Sequence, residues 1–354
     1  MARSADYVRK KLEGTSRALP LVSFPLSLGY EAIVSLRNTF YDRGLLRTRQ
    51  LPLPVISVGN LTLGGTGKTP AVIMLARLLQ ECGFRPAVVS RGYGGRNRDA
   101  VTVVSDGRSI SATPEEAGDE PVLIAESLEN IPVVTARRRV DAGRAVLQNF
   151  EADLLILDDA FQHRSLFRDV DIVLVDGDRP FGNGCIIPGG TLREPPGGIR
   201  RSHFIIVTDS PPDFDAGIIE RVAPGIPIFM AQRRSEDLLD CSDGTVRSPE
   251  FLQNKRVTAF AGIAFPRRFR ETLLPWCGSL EAFFSFPDHH IYDERDIRKI
   301  RAADADIIVT TEKDGVRLRR FPEIYRSLQL FRIGMRIVPS PKELMATLCG
   351  KLRQ

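Results

Sequence analysis

No two of the five cysteines (Cys82, Cys185, Cys241, Cys277, Cys349) stand in a C-x-x-C or any other paired spacing. Their scatter argues against a structural zinc site and points to a reducing compartment. No uninterrupted apolar run reaches the ~20 residues that a membrane-spanning helix needs. The nearest approach, residues 19–36, is broken by Pro20, Pro25 and Glu31. It also lacks a small-residue cleavage site after a clean apolar core, which argues against a secretory signal. Internal repeats and low-complexity tracts are missing as well. So is a strong charge imbalance: the formal net charge is +5 over 354 residues. Residues 1–50 hold nine Lys/Arg (Arg3, Arg9, Lys10, Lys11, Arg17, Arg37, Arg43, Arg47, Arg49) against four acids, a surplus equal to that of the whole chain. The remainder is balanced, which speaks against a general nucleic-acid-binding face. What is present, 43% hydrophobic and 26% charged residues, is ordinary for a globular chain of about two domains.

The most informative stretch runs from Pro54 to Pro70. A short apolar strand passes through Gly59-Asn60-Leu61-Thr62-Leu63-Gly64-Gly65-Thr66-Gly67 and ends at Lys68-Thr69 on the threshold of a helix over 71–79. Small residues let backbone N–H groups wrap an anion, and the helix N-terminus points at it. This is a P-loop, in which Lys68 reaches the outer phosphates and the Thr69 hydroxyl ligates Mg²⁺. A strict G-x-x-x-x-G-K-T would carry glycine at position 62, where this chain has Thr62.

Beyond it, apolar runs at 86–89, 131–134, 154–157, 172–175 and 204–207 alternate with helical stretches, notably 136–149. The rhythm predicts an α/β doubly wound, mostly parallel sheet of P-loop type over 51–230. Ligands on such sheets bind at the carboxyl ends of the strands. The pattern weakens at 231–254, read as a linker or hairpin, and a second, smaller α/β lobe is expected over 255–354. The N-terminal 1–50 segment, apolar and flanked by Arg and Lys, suits either a lipid surface or a helix packed on the core.

Several polar clusters punctuate these elements. Leu154-Leu155-Ile156-Leu157-Asp158-Asp159 is a hydrophobic strand ending in two carboxylates, as in a Walker B strand whose acid holds Mg²⁺. Asp119-Glu120 opens a helical segment, where acids also simply suit the helix dipole. Asp288-His289-His290 lacks a third metal ligand nearby, which leaves a base-orienting His or a packed turn. Arg193 is displayed by a Gly/Pro-bounded loop and suits a phosphate. Arg137-Arg138-Arg139 offers another cationic group, or a solvated face.

Taken in order, the P-loop, Ser90-Arg91-Gly92-Tyr93-Gly94, Gly118-Asp119-Glu120-Pro121, Asp158-Asp159-Ala160-Phe161-Gln162-His163, Leu192-Arg193-Glu194-Pro195, Asp288-His289 and Thr311-Glu312-Lys313-Asp314 resemble the tetraacyldisaccharide 4′-kinase family of lipid A biosynthesis. Thr62 is itself typical of that family's P-loop. The resemblance implies an ATP- and Mg²⁺-dependent kinase that phosphorylates the 4′-hydroxyl of a tetraacylated glucosamine disaccharide 1-phosphate. It implies Asp119 as the base at the sugar hydroxyl, His289 as its partner, and Glu120, Asp158 and Asp159 around Mg²⁺ and its waters. Arg193 and Lys68 would neutralise phosphate, with the nucleotide cradled by 62–69 (Thr62, Leu63, Gly64, Gly65, Thr66, Gly67, Lys68, Thr69). It further implies a peripheral protein on the cytoplasmic face of the bacterial inner membrane, with no obligatory protein partner, and favours the lipid-surface reading of the N-terminal segment. Two departures stand out: Ala160 where Gly is common, and Ala264-Phe265 where Gly-Asn usually precedes the proline. The rival readings are a partitioning or switch ATPase, whose signature lysine is replaced here by Leu63, and a kinase for a soluble metabolite.

Overall fold

The computed structural model describes residues 19–96 and 101–353. Arg3, Arg9, Lys10, Lys11 and Arg17 of the basic segment lie outside the described residues. Thirteen strands form one sheet: β1 (Val55–Asn60), β2 (Pro86–Ser90), β3 (Thr102–Ser105), β4 (Val133–Thr135), β5 (Leu154–Asp158), β6 (Val170–Asp176), β7 (Phe204–Thr208), β8 (Ile228–Asp240), β9 (Val246–Arg247), β10 (Arg256–Ala261), β11 (Ser279–Ser285), β12 (Ile307–Thr311) and β13 (Leu328–Val338). Their order is β11-β10-β12-β13-β8-β7-β6-β1-β5-β2-β4-β3, with β9 paired to β8. Four of the five apolar runs read as parallel strands lie within parallel strands, and of the fifth, 131–134, Val133 and Val134 do so in β4. Every residue of β1, β2, β5, β6 and β7 is buried, as expected for parallel strands covered on both faces.

Two parallel blocks meet where β8 and β13 pair antiparallel. β8 pairs with β7 only as far as Ala231, level with Thr208 at the carboxyl end of β7. It then runs on to Asp240 beside β13. β12 likewise ends at Thr311 opposite Phe331, and β13 continues to Val338. The carboxyl ends of the two blocks therefore face one another, held apart by a two-stranded ribbon of about five residues, or ~16 Å. Residues 231–254, expected as a linker or hairpin, carry this ribbon strand and the hairpin of β9 onto Leu238 and Leu239. Gln232, Arg233, Arg234, Ser235 and Glu236 look unlike a strand because little apolar core meets them there.

The second lobe packs Phe269, Phe331 and Val257 on one side of its strands and Phe260, Tyr292 and Ile300 on the other. Its extent needs a correction. The C-terminal helix Lys342–Leu352, expected within that lobe, buries Leu344, Met345 and Leu348 with Leu75, Phe204 and Ile206 in the core of the first. The ribbon brings the chain back.

Leu19–Asp42 forms one helix that continues through Pro25. No helix among the described residues is long and apolar enough to cross a membrane. On its inner side, Ser27 Oγ accepts the Gly189 N–H (2.8 Å), and Asn38 Nδ2 donates to Glu194 (3.1 Å). Arg164 donates to the Asn38 carbonyl (3.0 Å) and to Asp42 (2.6 Å). On the outer side Leu26, Ile33, Leu36 and Phe40 are exposed at spacings that form one helical stripe.

Candidate active site

The facing carboxyl edges enclose a cleft of about 1280 Å³. On its first-lobe floor the chain leaves β1, turns, and enters the helix Lys68–Glu81. Gly67 takes φ +80°, and no side chain caps the helix start, so its first N–H groups are open to an anion. The loop is pinned from behind. Asn60 Nδ2 donates to Thr66 Oγ1 (2.9 Å), Leu63 N to the Thr191 carbonyl (2.6 Å), and Thr208 Oγ1 to the Thr66 carbonyl (3.2 Å). Thr62 is buried and pairs with Leu192 through an isolated backbone bridge. A Cβ on Gly64 or Gly65 would stand only 3.2–3.3 Å from the Phe265 ring of the second lobe.

β5 delivers the two adjacent acids into different surroundings. Asp158 is buried; its Oδ2 accepts Ser90 Oγ (3.0 Å), while Oδ1 is buried with no partner. Burial, with Glu120 and Asp159 nearby, pushes its carboxyl up to about 7. Asp159, at φ +45°, turns toward cations. It accepts Arg193 Nη1 at 2.7 and 2.9 Å and lies 3.8 Å from Lys68 Nζ. Burial opposes its ionisation, but Lys68 and Arg193 outweigh that and hold it well below the usual carboxylate range. Arg139 is buried behind both and donates to the Asp158 carbonyl (3.2 Å).

The opposite wall joins the lobes. Asp119 begins the helix Asp119–Ser127 directly after Gly118, where φ is +93° and a Cβ would meet the Tyr93 carbonyl at 2.5 Å. Across the cleft, His289 Nδ1 lies 3.2 Å from Asp119 Oδ2, and Arg317 Nε donates to the same oxygen at 2.7 Å. Lys313 Nζ donates to Glu120 (2.8 Å) and lies 3.6 Å from Asp288. Burial works against the Asp119 carboxylate, yet Lys313, His289 and Arg317 hold its pKa well below the ordinary value. Asp119 is thus an anion throughout the neutral range.

The structure brings most of the predicted site residues to this one cleft: Leu63, Gly64, Gly65, Thr66, Gly67, Lys68, Thr69, Glu120, Asp158, Asp159, Arg193 and His289 line it, with Asp119 in contact with His289, whereas Thr62, expected in the nucleotide cradle, is buried behind the loop and does not line it. The sequence motif containing Lys313 was visible, but neither Lys313 nor Arg317 was given a task. Arg91, part of the Ser90–Gly94 motif, also lines the cleft, as do Arg37 and Arg268, to which the sequence assigns no site role. Arg268 donates to Asp176 (2.6 and 3.0 Å) and Asp178 (2.8 Å) across the lobes.

The donor chemistry fits Mg²⁺. A buried acid oxygen lacking a partner on Asp158, in the same cleft as the P-loop Thr69, suits an ion that usually takes one or two carboxylates and completes its shell with phosphates and water. No group of three or more His, Cys, Asp or Glu able to hold a metal occurs among the described residues, so Glu120, Asp158 and Asp159 do not form one carboxylate cluster. Glu120 and Asp159 are each paired with a cation here.

A glycine cradle, a strand-end acid, and a carboxylate–imidazole pair meeting across two lobes define a P-loop phosphotransferase. Sequence relationships narrow the class. The profile of the tetraacyldisaccharide-1-P 4′-kinase family matches residues 19–353, and the chain belongs to that family. It is 46% identical over 329 residues to the tetraacyldisaccharide 4′-kinase of Syntrophus aciditrophicus, covering 88% of each chain. With the Geobacter sulfurreducens enzyme it shares 42% over 300 residues, 84% of each chain. The fold is similar to the crystal structure of LpxK from Aquifex aeolicus in complex with ATP (TM-score 0.76, 33% identity, 93% of this chain and 98% of that one).

Proposed function

We propose that this chain transfers the γ-phosphoryl group of ATP to the 4′-hydroxyl of an acylated glucosamine disaccharide 1-phosphate presented at a lipid surface. Family membership supports the reaction class and argues against a switch ATPase. The observation that carries the residue roles is the 3.2 Å approach of His289 to Asp119 in the same cleft as the P-loop.

Phosphoryl transfer asks a protein for positioning and charge neutralisation rather than covalent work. The open N–H groups after Gly67 and the Lys68 ammonium receive the phosphates, and Arg193 adds a guanidinium beside them. When bound, Mg²⁺ would supply positive charge to neutralise the phosphates; Thr69 and Asp158 would hold it, with Glu120 and Asp159 near its waters. Asp119 accepts the hydrogen bond of the sugar hydroxyl and aims its oxygen at phosphorus, with His289 alongside to take up the proton. A loose transition state needs little basicity of that acceptor, so its low pKa is no obstacle. Arg37 and Arg139 each have a buried Nε–H without a partner, and with Arg91 they crowd His163 enough, on top of its burial, to hold it down to about 4. This cationic corner suits the acceptor's phosphate.

The exposed stripe Leu26–Ile33–Leu36–Phe40 would rest in the bilayer interface, contributing buried apolar area, while Tyr30, Val34 and Arg37 of the same helix line the cleft. Acyl chains can then remain in lipid while the sugar enters. Dependence on ATP supports a position on the cytoplasmic face of the inner membrane. Replacing Asp119 with Ala should collapse turnover on the order of 10²-fold or more and leave ATP affinity nearly unchanged; wild-type turnover in that variant removes Asp119 from its role.

A further inference from the structure

We propose that Arg317 is the positioning residue of the acceptor-activating carboxylate, supplied by the second lobe and indispensable to its aim. The inference rests on the reading of Asp119 given above.

Arg317 sits on the helix Glu312–Leu318, 198 positions from Asp119 in the chain. Its fork is fully organised. Nη1 donates to the Gly262 carbonyl (2.7 Å) and to Asp314 Oδ1 (3.1 Å), while Nε and Nη2 both donate to Asp119 Oδ2. Asp314 is completely buried, and it also accepts the Gly262 N–H (3.0 Å), Tyr292 hydroxyl (2.8 Å) and Thr311 hydroxyl (2.7 Å). The guanidinium is thus anchored to the carboxyl ends of β10 and β12 before it meets the first lobe. A planar fork with fixed donors imposes direction, which an ammonium does not.

The two oxygens of Asp119 are thereby made unequal. Oδ2 is occupied by Arg317 and His289, whereas Oδ1 accepts the N–H of Glu120 at 3.0 Å. A carboxylate oxygen has two lone pairs, so Oδ1 retains one for a sugar hydroxyl. Without the fork, the carboxylate can rotate about its bond to Cβ, and Lys313 and His289 can draw it off line. Misplacement of a reacting group by ~1 Å costs on the order of 10²-fold in rate.

The test uses the full chain with Mg·ATP and the tetraacylated disaccharide 1-phosphate, comparing Arg317→Met, Arg317→Lys, Asp119→Asn and the double variant Arg317→Met/Asp119→Asn. Arg317→Met is expected to lower kcat on the order of 10²-fold with KM for ATP within about threefold. Arg317→Lys should recover part of the loss. In the Asp119→Asn background, Arg317→Met should add less than about threefold, because residues that act as a unit are not additive. An unchanged kcat overturns the proposal. So does an equal loss in the Asp119→Asn background, or a loss that Arg317→Lys does not relieve and that follows a drop in Tm. Failure of the wild-type chain to phosphorylate the acceptor would instead sink the functional reading itself.

Discussion

Replacing Arg193 with Met separates stability from catalysis in a way the structure quantifies. The Arg193–Asp159 pair is partly solvated, with the two side chains 22% and 33% exposed. Its loss should cost only about 1 kcal/mol. Against this, Arg193 Nε is buried with no partner, an unmade bond whose penalty is about 1–3 kcal/mol in the ligand-free protein. Removing the side chain deletes that penalty too, so the net change in unfolding free energy should lie within about 2 kcal/mol of zero. Catalysis has no such compensation. The Arg193 side chain lines the cleft, and losing one preorganised donor to developing charge lowers kcat by roughly 10²–10³-fold. Steady-state kinetics with both substrates varied, alongside urea unfolding, measure the two effects. A wild-type kcat, or a defect confined to KM for ATP, would refute the assignment of Arg193 to the reacting phosphate.

Three other outcomes follow from particular residues. Gly67→Ala places a side chain at φ +80° with its Cβ 2.7 Å from Met335 Cε; we expect about 1–2 kcal/mol of destabilisation from the backbone alone and weakened ATP binding, read by thermal unfolding and calorimetry. Ile33→Glu with Leu36→Glu should abolish co-sedimentation with anionic phospholipid vesicles while leaving ATP affinity intact; undiminished sedimentation would contradict the lipid-surface role of the helix. His163, held near 4 by burial and by Arg139 and Arg168 against 6.5 ordinarily, binds its proton in the unfolded chain first. Its contribution to stability is therefore present above pH 6.5 and drains away between 6.5 and 4, and His163→Gln should flatten that limb of the unfolding profile.

Much of this architecture was legible because local chemistry dictates it. Gly64, Gly65 and Gly67 before Lys68-Thr69 declare a phosphate turn, and runs such as Leu154–Leu157 have no stable place except a buried strand. Thr62 looked like a departure from the motif and proves to be a pairing position for Leu192. The illegible parts are those built by distant contacts. Asp119 and Arg317 meet only because β8 and β13 fold one lobe over the other, and no local spacing announces such a pair. The ribbon itself hides in a polar stretch, since a strand bridging a cleft does not need the apolar alternation of a core strand. The C-terminal helix was misplaced for a related reason: its amphipathic pattern shows that it packs, not on which lobe.

The most direct measurement follows γ-labelled ATP with the purified chain, Mg²⁺ and the tetraacylated disaccharide 1-phosphate in mixed micelles. Label should pass to the 4′-position of the glycolipid in step with ADP release, and Lys68→Ala should abolish the transfer. ATP consumption indifferent to the glycolipid, or labelled product undiminished in Lys68→Ala, would contradict the account.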